Sequence, residues 1–224
     1  MPYYLRLFYF YFGYFMRILI TAGPTREYLD PVRFLTNGSS GQMGYACAAA
    51  AVARGHKVTL ISGPTNLAKP AGLKFIPIIS AADMAQATLN IYDMIDCVIM
   101  SAAVADYTPA NVSSSKIIKM PGDMQLHMVR TMDILAKLGR TKQKQKLIGF
   151  AVQDKNARSN AKRKLLEKKL DAIVLNDTSA MGASRNTIHI LKANQRNWQT
   201  MADKTKLFLG KAIVQLAEEI TQSL

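Results

Sequence analysis

Short apolar runs separated by helix-length segments divide residues 17–221, and this alternation constrains the fold more than any other feature. Ile18-Leu19-Ile20 opens the series. Lys57–Ile61, Leu73–Ile79, Asp96–Met100, Lys146–Ala151 and Asp171–Leu175 continue it. Between them the pattern predicts helices over Tyr45–Arg54, Ala81–Tyr92, Met132–Leu138 and Asn156–Leu170, with a closing helix over Asp203–Thr221. Strands covered on both faces read as unbroken apolar runs, and strand–helix alternation implies parallel pairing through crossovers. The expected fold is therefore α/β: a Rossmann-like, mostly parallel sheet with helices on both faces. Thr187–Thr200 reads as a C-terminal β-hairpin, Met124–Val129 as a short strand and Val104–Met120 as irregular chain. No internal repeat or linker interrupts residues 16–224, which read as one domain. Ligands of such sheets sit beyond the carboxyl ends of the strands. That places Gly23–Gly44, Ala102–Lys119 and Phe150–Lys168 around one crevice.

The chain has 224 residues and a formal charge of +14. Two readings of that charge compete: a polyanion binder, or an enzyme of phosphorylated substrates. Eleven cations fall between Arg140 and Lys169, opposed only by Asp154 and Glu167. Phe150 is the sole aromatic residue of that stretch, so the stacking platform of a single-strand binder is missing. No helix-turn-helix or zinc-finger spacing appears. Cys47 and Cys97 lie in an alanine-rich helix and an apolar strand, as small buried thiols. They and three scattered histidines imply no disulfide framework and no metal cluster, which fits a reducing, cytoplasmic setting. Residues 1–15 contain nine aromatics, are too short to span a bilayer and lack the features of a signal peptide. They read as an unstructured arm or an extension ahead of the true start, with a membrane-surface anchor as the alternative.

The run from Arg17 to Gly44 holds the densest chemistry. A strand feeding a glycine-rich turn at a helix N-terminus presents bare amides and a helix dipole to an anion. Asn37-Gly38 tolerates positive φ and suits a sharp reversal. Ser39 and Ser40 can donate hydroxyls to an anionic oxygen beside Gly41, and Gly44 lets the helix pack close to the first strand. The spacing Gly38, Gly41, Gly44 departs from the dinucleotide fingerprint. The second strand ends in Ser62-Gly63-Pro64 where an NAD enzyme would offer a carboxylate to the ribose. An NAD(P)-type Rossmann enzyme is thereby disfavoured, and a basic nucleic-acid module is the rival outside enzymes.

Three clusters face the expected crevice. Asn37 offers a donor and an acceptor at its lip, or satisfies local backbone as a turn residue. In Ser101–Tyr107, Ala102 and Ala103 leave room for a planar ring or ribose, or pack tightly. Asp106 can accept from hydroxyls or hold a cation. Lys116 of Lys116-Ile117-Ile118-Lys119 would meet a phosphate, or stand solvated. Lys164 and Lys168 are one helical turn apart beside the apolar stripe Ala157, Ala161, Leu165. With Phe150 they suit a polyphosphate, though a solvated basic face is the plainer reading.

Together these strings resemble the phosphopantothenate–cysteine ligases of bacterial coenzyme A synthesis. The resemblance rests on ITAGPTREYLDPVRFLTNGSSGQMG, SAAVADY, the KIIK tetrad, GFA and KKLDAIVLND, and it covers Arg17 to about Ile220. The decarboxylase half of the bifunctional family members is absent, so the chain reads as a stand-alone ligase. The resemblance implies CTP as co-substrate with Mg²⁺, and phosphopantothenate and cysteine as substrates. It implies a homodimer, with the Thr187–Thr200 hairpin as the dimer arm, and a separate phosphopantothenoylcysteine decarboxylase as a candidate partner. Neither nucleic acid nor membrane is among the implied partners. It further implies that Asn37 acts on an acyl-cytidylate and that Lys116 meets the phosphates during activation. Ala102, Asp106, Met132, Asp133, Ile134, Leu135, Phe150, Lys164 and Lys168 then fall at nucleotide-binding positions. Three strings depart from the family pattern: KIIK for KIKK, Met132-Asp133 for Pro-Asp, and Gly149–Asp154 for GFAxET.

Overall fold

The first strand, β1 (Arg17–Ala22), lies inside an eight-stranded sheet with β4 (Lys57–Ser62) on one side and β6 (Cys97–Met100) on the other. Both pairings are parallel, with Ile18 opposite Val58 and Cys97. Beyond β4 lies β5 (Lys74–Pro77). Beyond β6 lie β9 (Lys146–Val152) and β10 (Ala172–Asn176), all parallel. The hairpin β11 (Arg185–Lys192) and β12 (Gln199–Thr205) completes the sheet in antiparallel sense. The parallel strands thus run in the spatial order β5-β4-β1-β6-β9-β10, the order of a dinucleotide-binding sheet. The computed structural model describes residues 15–152, 155–177 and 184–222.

Alternation of side chains along each strand builds two cores. Ile18, Ile20 and Ala22 of β1 join one core with helices α1 (Gln42–Ala53) and α5 (Lys206–Gln222). Leu19 joins the other, under α2 (Ala81–Leu89), α3 (Ile134–Thr141) and α4 (Ala157–Glu167). Every apolar position of the strand is consumed, so its sequence shows no polar face. In α1 the small residues allow close contact on both sides. A Cβ on Gly44 would lie 2.5 Å from Cβ of Ala22, and one on Gly210 of α5 would lie 2.6 Å from the carbonyl carbon of Ala46. Among the described residues no helix is long and apolar enough to cross a membrane.

Several boundaries differ from the sequence expectation, each for a local reason. The helix expected over Ala81–Tyr92 begins with a capping box between Ser80 and Asp83, ends at Leu89 and is followed by a 3-10 turn at Tyr92–Met94. The helix expected from Met132 starts at Ile134, because the Asp133 carboxylate accepts the Ala136 amide at 2.9 Å and caps it. The closing helix starts at Lys206 rather than Asp203, since β12 continues through Asp203. Within the stretch read as irregular, β7 (Tyr107–Pro109) pairs with β8 (Met128–Arg130), which replaces the strand expected at Met124–Val129. A second ribbon, β2 (Arg26–Tyr28) with β3 (Phe34–Thr36), follows β1. The positive φ expected at Gly38 occurs instead at Gly41, where φ is 78°.

The β2–β3 ribbon turns around Asp30, whose side chain is fully buried. Its carboxylate accepts the amides of Val32 and Arg33, each at 2.8 Å, and of Ile117 at 3.1 Å. The Arg33 guanidinium binds the same carboxylate and donates to the Ile117 carbonyl at 2.7 Å. The Arg33 hydrogen bond is the main reason the Asp30 carboxyl titrates well below the usual carboxylate range. The ribbon thereby ties down the backbone beside Lys116.

Candidate functional site

At the carboxyl ends of β1 and β6 the chain departs in opposite directions, and a crevice opens there. Its floor is cross-linked. The Ala103 amide donates to the Gly23 carbonyl at 2.9 Å, and the amides of Ala102 and Ala105 donate to the hydroxyls of Thr21 and Thr25 at 3.2 and 3.0 Å. From the lip, the Asn37 amide nitrogen donates to the carbonyls of Ala103 and Val104 at 3.1 and 3.2 Å. Asn37 thus joins the loop entering α1 to the loop leaving β6. Gly41, in the left-handed region, turns the chain into the helix. The Ser39 hydroxyl accepts the Gly41 amide at 3.3 Å, and its own proton stays available to an anion.

Two cavities occupy the crevice. The first, about 380 Å³, is lined by Ala102 and Asp106, by the Met132–Leu135 segment, and by Phe150, Lys164 and Lys168. The second, about 540 Å³, is bounded by the Asn37–Gly41 loop, the end of β10 at Asn176-Asp177, and Lys206. Ala102, Val104, Asp106, Phe150 and Lys164 face both. A ligand can therefore pass from one cavity to the other along this shared wall.

The electrostatics favour an anion. Lys164 donates from Nζ to the Phe150 carbonyl at 2.6 Å. Burial, then the neighbouring Lys168 ammonium, pulls its pKa down to about 8, partly offset by Asp133 and Asp106. Lys168 pairs with Asp133 at 2.6 Å. Burial raises the Asp133 carboxyl, but its bonds to Lys168 and to the Ala136 amide outweigh this and leave it below the ordinary value. The apolar stripe of α4 behaves as expected. Ala161 and Leu165 are buried, and the two lysines flank them facing the first cavity. Burial also lowers Lys206 from the usual lysine value.

Of the residues expected from sequence, Asn37, Ser39, Ser40 and Gly41 line the second cavity. Met132, Asp133, Ile134, Leu135 and Lys168 line the first, while Ala102, Asp106, Phe150 and Lys164 line both. Lys116 is exposed and lines neither, so within a single chain it stands apart from the rest. The family departure at Gln153-Asp154 and the aromatic leader before Phe15 lie outside the described residues. Sequence reasoning missed Arg130, Thr131, Asn176, Asp177 and Lys206 as lining residues. Asn176-Asp177 had a signal, because polar residues halting a buried parallel strand sit where ligands bind. Lys206 had none. No cluster of three or more His, Cys, Asp or Glu suited to a metal occurs among the described residues.

Comparison with known proteins gives this crevice a lineage. Residues 15–221 match the family described as the DNA/pantothenate metabolism flavoprotein C-terminal domain. The coenzyme A biosynthesis bifunctional protein CoaBC of Bacillus subtilis (strain 168) is 54% identical over 167 residues, 74% of this chain and 41% of that protein. The chain spans about half the length of the curated relatives it matches. A crystal structure of the C-terminal domain of a CoaBC protein superposes with a TM-score of 0.82 at 41% identity, covering 93% of this chain and 97% of that one. The structure of a Cab2 mutant (H337A) in complex with phosphopantothenate-cysteine shares the fold, with a TM-score of 0.75 at 14% identity over 92% of this chain and 87% of its own. The sheet order, the glycine-rich entry to α1 and the match along nearly the whole described chain agree: this protein belongs to the DNA/pantothenate metabolism flavoprotein C-terminal domain family.

Proposed function

We propose that this chain is a CTP-dependent ligase that joins 4'-phosphopantothenate to cysteine in coenzyme A biosynthesis. The observation that supports it best is the shared wall of the two cavities. A nucleoside bound in the first cavity extends its phosphates past Ala102 and Lys164 towards the Ser39–Gly41 amides in the second. An acid that reaches that wall opposite the pyrophosphate then meets the α-phosphate in line with the bond to be broken. A carboxylate oxygen attacks the α-phosphorus, the α–β P–O bond breaks, and pyrophosphate departs with the bonding electron pair. The cysteine amine next attacks the acyl carbon of the mixed anhydride, its C–O bond to CMP breaks, and the amine gives up a proton. Neither step needs a protein nucleophile. The chain's work is alignment and stabilisation of developing negative charge.

Asn37 holds the loop at which the acyl-cytidylate turns over. In this reading Lys116 meets the phosphates during activation, with a second copy of the chain completing its surroundings. That homodimer is supported by Ile118, Met120 and Met124, apolar side chains exposed beside Lys116 at 79%, 72% and 56%. The β11–β12 hairpin, with the open edge of β12, is its further proposed contact. Mg²⁺ fits as an ion carried in on the triphosphate. Asp106 faces both cavities and Asp177 the second, too few carboxylates for an all-protein cage but enough to steady an ion held mainly by phosphate and water. When bound, it neutralises charge on the triphosphate. A cytoplasmic setting accords with the free, buried thiols of Cys47 and Cys97.

The test is product formation in the complete mixture. Pyrophosphate and CMP should appear in equal amounts only when phosphopantothenate, cysteine and CTP are all present. Release of orthophosphate and CDP, or release that ignores the acid, contradicts the proposal.

A further inference from the structure

Lys206 is the first residue of α5 and lines the second cavity, as does the Ser39–Ser40–Gly41 loop. The packing of two helices brings it there. Gly210, one turn further along α5, lies against the backbone of Ala46 in α1 so closely that no Cβ fits between them. Gln42, one turn before Ala46, lines the same cavity as Lys206. The Gly210–Ala46 contact therefore sets the start of α5 beside the start of α1, and brings a lysine to the cavity that the first residues of α1 also line.

Among the described residues, Lys164 and Lys206 are the lysines that line this cavity, and of the two only Lys164 also lines the first. Lys164 stands on the wall shared with the first cavity, where the α-phosphate would lie. Lys206 stands where the more distal phosphates would run. Lys168 faces the first cavity and pairs with Asp133. Resting on the ligase reading above, we propose that Lys206 is a catalytic residue that binds the β- and γ-phosphates and steadies the pyrophosphate as it leaves. The bond broken is the α–β P–O bond, whose electron pair passes to the departing pyrophosphate oxygen. Lys206 stays protonated and supplies a charged hydrogen bond to the pyrophosphate, which grows stronger as charge accumulates there. Burial holds its pKa below the usual lysine value, and a bound anion favours the protonated form.

The experiment compares ligands that differ only in those phosphates. Affinities of CTP, CMP and pyrophosphate are measured by calorimetry for the wild type, Lys206→Met and Lys206→Arg, with thermal unfolding of each as a check on folding. Lys206→Met should weaken CTP and pyrophosphate about tenfold or more. CMP should hold within about twofold, and Lys206→Arg should recover most of the loss. Equal losses for CTP and CMP, or unchanged CTP affinity, overturn the assignment. If Lys206→Met does not fold, the same comparison is read from Lys206→Gln. Wild-type protein that binds CTP no more tightly than CMP contradicts the ligase reading itself. Wild-type discrimination that survives in Lys206→Met contradicts the Lys206 assignment alone.

Discussion

Lys164 illustrates how a side chain ordinary in sequence becomes specific in place. It donates to the Phe150 carbonyl, feels Lys168 beside it and sits on the wall common to both cavities. Its pKa of about 8 sets a sign for nucleotide binding. Below that pH it is an ammonium and attracts a triphosphate; above it the charge is lost and affinity falls. Calorimetry between pH 7 and 9 should show CTP binding weakening as pH rises through about 8, with proton uptake near that value. Lys164→Gln should bind more weakly, by about 1.5–3 kcal/mol, and lose this pH dependence. A flat wild-type profile contradicts the assignment. The pairing of Lys164 and Lys168 on one face was legible from their spacing. The carboxylate that pairs with Lys168 was not, because Asp133 reaches it across helices that only folding brings together.

Secondary structure was legible where burial leaves a pattern and obscure where it does not. β1, β4, β6, β9 and β10 each read as an apolar run because both faces of the sheet are covered. The β2–β3 ribbon and β7 were invisible and β8 was expected a few residues early, since strands of three residues are too short to show a period. Their order comes from a distance: Asp30 binds Arg33 nearby and Ile117 far along the chain. The crossing of α1 and α5 belongs to this second group. Nothing in the sequence marked Gly210, yet it allows the contact that sets Lys206 in the cavity. Gly210→Ala places a methyl 2.6 Å from the Ala46 carbonyl carbon, and backbone cannot yield as a flexible side chain can. Such overpacking costs roughly 1–3 kcal/mol, so thermal unfolding should shift downwards and CTP affinity should fall. Unchanged stability and affinity would mean that the two helices are not held at this contact.

The fold as a whole places its chemistry by topology. Reversal of strand order between β1 and β6 opens the crevice, and the loops after β1, β6, β9 and β10 close it. The class of fold and the position of the crevice followed from strand alternation. Its division into two cavities with a common wall did not, because Phe150, Asp106 and Lys164 come from three separate elements. Lys116 stays exposed on the surface and lines neither cavity. The central claim is that these cavities hold an acid and a nucleoside triphosphate so that the acid attacks the α-phosphate. Rapid quenching with phosphopantothenate, CTP and Mg²⁺, and with cysteine withheld, tests it most directly. The account predicts a burst of pyrophosphate matched by an acyl-cytidylate retained on the protein. Cysteine should discharge that species quickly in the wild type and slowly in Asn37→Ala, which lacks the bonds to Ala103 and Val104. No pyrophosphate before cysteine is added, or equal discharge rates in the two proteins, would contradict it.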